Sequence, residues 1–269
     1  ACSPGDYEHA CSVWAAARCQ NFGEYHDLYL RLDVALLVDV FESFRRSAHT
    51  TYGLDPALYY TLPGFSWDAL FKHTGAKLEL LTDPDMYIAC EKALRGGVCA
   101  VSKRHAKANN PQVGGYEPEK PTTWLRYDDA NNLYGWAMSQ ALPARGFTWG
   151  DGAAWDARRV LDLADDGERG AFLEVDLEYP AELHESHNDF PLCPERMEVP
   201  EGWLSPYATQ ALAVAGDKYT SCEKLVPNLR DKRRYWIHYR NLKFALKQGL
   251  RLKAVHRVIE FHQEAWMKP

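Results

Sequence analysis

From Thr123 to Leu142 the chain reads TWLRYDDANNLYGWAMSQAL. The first half alternates. Trp124, Arg126 and Asp128 fall on one side, and Leu125, Tyr127 and Asp129 on the other. With Thr, Trp and Tyr among them, that is the signature of a β-strand. Asn131 and Asn132 then break the pattern, and Leu133, Tyr134, Gly135, Trp136 and Met138 follow as a bulky apolar run. A carboxylate at a strand end, just ahead of a sharp turn, is well placed to hold a divalent cation, because the strand fixes the backbone and the turn exposes the oxygens. Paired Asp residues before Asn-Asn also suit an ordinary polar turn.

Around this stretch the composition is that of a soluble globular protein, 46% hydrophobic and 25% charged. A chain of 269 residues can bury one large core or two modest ones. The apolar run from Val34 to Val40 is broken by Asp39 and preceded by Asp33, far too short to span a bilayer, so no membrane is expected. No signal peptide is visible, and the chain reads as a piece of something longer. Its seven cysteines are scattered without zinc-knuckle spacing, as expected of reduced thiols inside a cell; Cys11, Cys19 and His26 are the remaining zinc alternative.

The net charge of −6 hides an asymmetry. Between Lys224 and Arg257, eleven Lys and Arg oppose Asp231 alone, a segment of +10 on a remainder of −16. Such a band fits nucleic acid, or a solvated helix face.

Elsewhere the pattern alternates between helix and strand signals. Glu24 to Thr50 is helical, with Leu28, Leu32, Ala35, Leu36 and Val40 at helical spacing and Gly53 as a stop. Tyr29 and Asp33, four apart, share a face. Helices are expected at Trp14–Cys19, Asp68–His73 and Asp85–Leu94, the last with Gly96-Gly97 as C-cap. Val98–Ser102 reads as a strand and Asn109–Pro121 as a surface loop. Gly150–Gly170 is turn-like. In Phe172–Glu178, Leu173, Val175 and Leu177 alternate with Glu174, Asp176 and Glu178, an acidic face better read as solvated than as a metal site. Tyr179–Pro206 reads as loop, Asp231–Leu246 as helix before Gly249, and Ala254–Phe261 as strand. The class expected is α+β.

Asp129-Ala130-Asn131-Asn132-Leu133-Tyr134-Gly135 resembles the first palm motif of family B DNA polymerases, usually Asp-x-x-Ser-Leu-Tyr-Pro. Its continuation, Trp136-Ala137-Met138, looks like the protein-primed branch of viruses and self-replicating transposons. Tyr29-Leu-Arg-Leu-Asp33 looks like the third motif, Tyr-x-x-x-Asp, of the family's proofreading exonuclease, and the order of the motifs fits. Shorter likenesses at Leu62-Pro63-Gly64, Trp67-Asp68-Ala69, Lys224 to Leu229, His238 to Lys243 and Gly249 to Lys253 extend the resemblance from about Glu24 to Pro269.

The resemblance implies three parts. Residues 1–55 would be the C-terminal end of a ribonuclease H-like 3′–5′ exonuclease domain. Residues 56–121 would be connecting helices with a Gly-Gly template-contact element. Residues 122–269 would be the first part of a polymerase palm, antiparallel strands with flanking helices and an insertion. It implies template-directed nucleotidyl transfer assisted by two magnesium ions. Asp129 would bind both, with the Ala130 carbonyl helping one. Asn132, Leu133 and Tyr134 would line the incoming nucleotide, Tyr134 as a steric gate against ribose. Asp33 would be an exonuclease metal ligand and Tyr29 would orient the attacking water. Arg95, Gly96 and Gly97 would touch template DNA, although Leu94 stands where the family has Tyr. From the basic band, Arg233, Arg234 and Lys243 are expected to add DNA contacts. The implied partners are primer-template DNA, a dNTP and a terminal priming protein. The implied place is the nucleus or cytoplasm of a host cell, ahead of the mitochondrion. Asp128 departs from the family's apolar residue and would need a metal or Arg beside it. The first two exonuclease motifs, the fingers lysine and the Tyr-x-Asp-Thr-Asp palm motif are not in the sequence, so this chain alone is expected to be inactive. The alternatives are a catalytically inactive nucleic-acid-binding remnant of a transposon polymerase, or a drifted interaction protein.

Overall fold

The computed structural model describes residues 3–103 and 105–268, which divide into two compact units meeting in sequence at Ala76–Lys77. The chain is mixed α and β with antiparallel sheets. The first unit reaches past position 55, where the motifs suggest a boundary, and residues 77–121 belong with the second.

The first unit is helical: α1 (Pro4–Ala17), α2 (Phe22–Tyr52) and α3 (Leu62–Thr74). Each end is set by its local chemistry. Asn21 caps α2 by accepting the Glu24 N–H at 3.1 Å, and Glu24 reaches back to the Gln20 N–H at 2.7 Å. At the other end Gly53, at φ 64°, donates to His49 O. Ala48, Phe65 and Ala69 form the small core with half-buried Tyr52, Leu54 and Tyr59. Arg45 grips Asp55 through two nitrogens, at 2.9 and 2.6 Å, and holds that carboxyl down at about 2. The helix from Glu24 forms as its periodicity requires, but its expected buried face is not covered. Leu32, Leu36 and Val40 are exposed, and Ala48 is the buried residue of α2. The helix near Trp14 starts earlier than its apolar signal, because Ser3 caps it and Pro4 opens it.

The second unit begins with α4 (Pro84–Ala93) and α5 (Leu133–Met138), then β1 (Leu142–Gly150), α6 (Ala157–Asp162) and β2 (Arg169–Glu178). There follow α7 (His184–His187), β3 (Glu195–Glu198), α8 (Pro206–Ala215), β4 (Glu223–Val226), β5 (Lys232–His238), α9 (Tyr239–Lys247) and β6 (Arg251–Glu264). The main sheet is antiparallel in the order β1-β6-β2-β5, and β3 and β4 form a separate ribbon. The alternation in β2 places Leu173, Val175 and Leu177 on one face, fully buried with Ile237 and Val258 against Leu242 and Ala245 of α9 and Val160 of α6. On the other face Phe172, Trp236, Ile259 and Phe261 pack under Met86 and Ala89 of α4. Gly170 is required at the start of β2, since a Cβ there would lie 2.3 Å from the Phe261 ring.

Several expectations are corrected. Residues 123–129 form neither helix nor strand and pair with no strand among the described residues, apart from one bridge between Thr123 and Asn109. Trp124, Leu125 and Tyr127 stand exposed, for a strand needs a neighbouring edge as well as a pattern. Val98–Ser102 likewise forms no ladder. Asp231–Leu246 is not one helix. Tyr235-Trp236-Ile237 favours extension and builds β5, and the chain turns helical only after His238 caps α9. Helix α4 ends at Leu94 in extended backbone, not at a glycine cap. The stretch 207–217, without a firm pattern, is helix α8 between the Ser205 cap and Gly216.

Candidate functional site

The turn after residues 123–129 is built by three residues. Ala130 O accepts the Leu133 N–H at 3.1 Å. Asn132 adopts left-handed backbone, φ 51° and ψ 42°, which Asn tolerates better than most residues. Its side-chain oxygen accepts the Gly135 N–H at 3.3 Å, capping α5. Gly135 leaves room for that amide: a Cβ there would lie 2.4 Å from Asn132 Nδ2. Asn132 and Gly135 therefore act as a matched pair where the resembled motif has Ser and Pro.

Around this turn the motif residues are open. Asp129 is exposed, and its carboxylate has no partner among the described residues. Asp128 is held by Arg126, Nε to Oδ1 at 2.7 Å, the compensation its position beside Asp129 calls for. Leu133 is half exposed and Tyr134 is 82% exposed. Two residues on, about 200° round the helix, Trp136 faces a cleft of about 1300 Å³ shared with Arg95, Phe172, Tyr235 and Phe244.

Arg95 does not project into solvent. Its guanidinium lies 3.7 Å over the Tyr235 ring, and Nη1 donates to Trp236 O at 2.6 Å. Burial lowers its pKa from the usual arginine value. Gly96 and Gly97 are exposed, with open space where a Cβ would sit.

Six of the eleven cations of the basic segment are ion-paired within the unit. Glu174 takes Arg257 at 2.8 Å and Arg234 at 3.8 Å, and Glu178 takes Lys253 at 2.8 Å and Arg251 at 3.1 Å. Asp176 accepts the Arg234 N–H at 2.7 Å and lies 3.0 Å from His256. The acidic face of β2 is thus an ion-pair stripe against β5 and β6. Lys243 donates to Leu163 O at 2.6 Å and Asp165 at 2.9 Å. Lys232 is fully buried, its ammonium held by Glu195 and Asn228, and desolvation lowers its pKa. Arg233 is exposed and makes no ion pair among the described residues.

In the first unit Tyr29 and Asp33 both lie exposed on α2, and neither side chain has a partner among the described residues. Sequence reasoning missed Glu195, Arg196 and Asn228. They lie in stretches read as loop or as unassigned wording, with no periodicity to single them out.

Asp129 supplies one carboxylate, and among the described residues no group of three or more His, Cys, Asp or Glu side chains gathers that could hold a metal ion. The residues present therefore do not by themselves fit a magnesium pair. Nor is any helix among them long and apolar enough to cross a membrane. Set against known proteins, the chain matches no family model, no curated protein and no solved structure.

Proposed function

We propose that this chain is part of a protein-primed family B DNA polymerase, the end of its exonuclease domain and the start of its palm. The observation that carries the reading is the Asp129–Tyr134 turn. It combines the long motif likeness with a carboxylate that has no partner among the described residues, ahead of a capped turn, and an exposed aromatic ring in the first turn of α5. In this reading Asp129 contributes one of the carboxylates of the catalytic centre, and residues elsewhere in a longer chain complete it. Leu133 and Tyr134 face the incoming dNTP, and Tyr29 and Asp33 serve the exonuclease. A terminal priming protein and primer-template DNA are the proposed partners, in the nucleus or cytoplasm of a host cell. Of the cations assigned to DNA, Arg233 is the best placed, because Arg95 and Lys243 are engaged internally and Arg234 leans on Glu174 at 3.8 Å.

The steric-gate role gives the sharpest test. In the longer chain, Tyr134→Val should raise ribonucleotide incorporation relative to dNTP by at least about tenfold, with dNTP extension retained, since a clash in place of a contact is worth roughly 1–3 kcal/mol. Unchanged discrimination in an active variant would remove Tyr134 from the nucleotide site.

A further inference from the structure

The turn into β5 carries a scaffold that the polymerase motifs do not use. Asn228, almost wholly buried, accepts the Lys232 ammonium at 2.6 Å and the Arg230 N–H at 3.0 Å, and donates to Glu195 at 2.9 Å. Glu195 in turn accepts Lys232 at 3.0 Å. This bonded triad ties β3 to β5 and fixes the backbone from which three arginines spring. Arg196 on β3, Arg230 in the turn and Arg233 on β5 line one pocket of about 440 Å³. All three are exposed, and none makes an ion pair among the described residues.

The acids at this pocket are committed elsewhere. Glu195 serves Lys232 and Asn228, and Asp231 accepts the Tyr179 N–H at 2.7 Å. Three lining cations thus face two carboxylates, an excess of one positive charge around the cavity, and one of those carboxylates, Glu195, is already paired with buried Lys232. Guanidinium forks match phosphate oxygens in pairs of donors. The Arg230 guanidinium also lies 5.0 Å from the ring centroid of Trp203, a half-exposed aromatic. A basic pocket beside an aromatic platform is the chemistry that holds a single strand by its backbone.

We infer that Arg196, Arg230 and Arg233 form a phosphate-binding site for the backbone of a single nucleic-acid strand. The site deepens the polymerase reading and rests on it for the identity of the strand, while the phosphate chemistry stands on the arginines. Arg234, which leans on Glu174 at 3.8 Å, and Lys243, which is held by Asp165, are outside it.

The test is the salt dependence of binding of a fluorescein-labelled oligothymidylate to the 269-residue chain without magnesium, so that Asp129 plays no part. Removing three phosphate contacts, in Arg196→Ala/Arg230→Ala/Arg233→Ala, should make the log–log slope shallower by about 2 and weaken binding at low salt by at least about tenfold. Arg251→Ala/Lys253→Ala, which removes cations already paired with Glu178, should leave the slope within about half a unit of the parent. An unchanged melting temperature in the triple variant shows that folding is intact. If it falls, the Arg→Lys triple, which keeps the charge but loses the fork, should bind at least threefold more weakly than the parent. Equal losses in the two Ala variants, or an Arg→Lys triple that binds like the parent, would overturn the site. Pyrophosphate binding without oligonucleotide binding would overturn the strand assignment. Failure here leaves Asp129 untouched, whereas failure of the Asp129 test leaves this slope unchanged.

Discussion

Acidification should destabilise the second unit through His238. The ring stacks on Phe261, with centroids 5.9 Å apart, and meets Phe172 edge-on at 5.3 Å. Its Nδ1 accepts the Arg240 N–H at 3.3 Å, capping α9. That bond needs a neutral ring with Nδ1 unprotonated. Burial, and then the charge of Arg240, bring its pKa down to about 4 from 6.5. The unfolded chain therefore binds this proton first, and stability falls as the pH drops from about 6.5 to about 4. The full effect is about 3 kcal/mol, of which about 2 kcal/mol is lost by pH 5, before ordinary carboxylates titrate. Urea unfolding, followed by tryptophan fluorescence at steps from pH 7.5 to 5, measures it. His238→Asn keeps a cap acceptor without the titration. It should be less stable at pH 7.5, having lost the ring contacts, but its midpoint should vary far less with pH. Parallel pH profiles for the two proteins would refute the reasoning, because the proton would then be bound elsewhere.

The other predictions concern packing at the two polar centres. Gly135→Ala should bring no helix-propensity gain, because the new Cβ drives the Asn132 amide out of its cap, whereas in an Asn132→Ala background the same change should stabilise by about 1 kcal/mol; a double-mutant cycle in urea measures the difference. Lys232→Met should cost about 2 kcal/mol by leaving Glu195 and Asn228 short of a donor, and an equally stable variant would show that the buried ammonium contributes nothing net.

Much of the secondary structure was legible where one periodicity was enough. The 2-residue alternation of β2 fixed its buried face, and the helical spacing with Gly53 fixed α2. What escaped depends on partners distant in sequence. Residues 123–129 carry a strand pattern but, among the described residues, pair only through the Thr123–Asn109 bridge, and β5 hides its alternation behind Lys232, Arg233 and Arg234. The basic segment looked like a single nucleic-acid surface. Register then set Glu174 and Glu178 of β2 against Arg257, Arg251 and Lys253 of β6, which no local pattern announces. The turn at Asp129 was legible as a turn, because Asn-Asn breaks a strand. The lock between Asn132 and Gly135 was not, since it depends on a left-handed φ.

The central claim rests on the Asp129 carboxylate serving nucleotidyl transfer. The most direct measurement compares primer extension and 3′–5′ exonuclease rates of the longer chain with and without Asp129→Asn, a change that removes charge and keeps shape. The account predicts extension lost by at least about a thousandfold, as for a group that stabilises the transition state, with exonuclease activity retained. Extension at the parent rate, or equal loss of both activities, would contradict it.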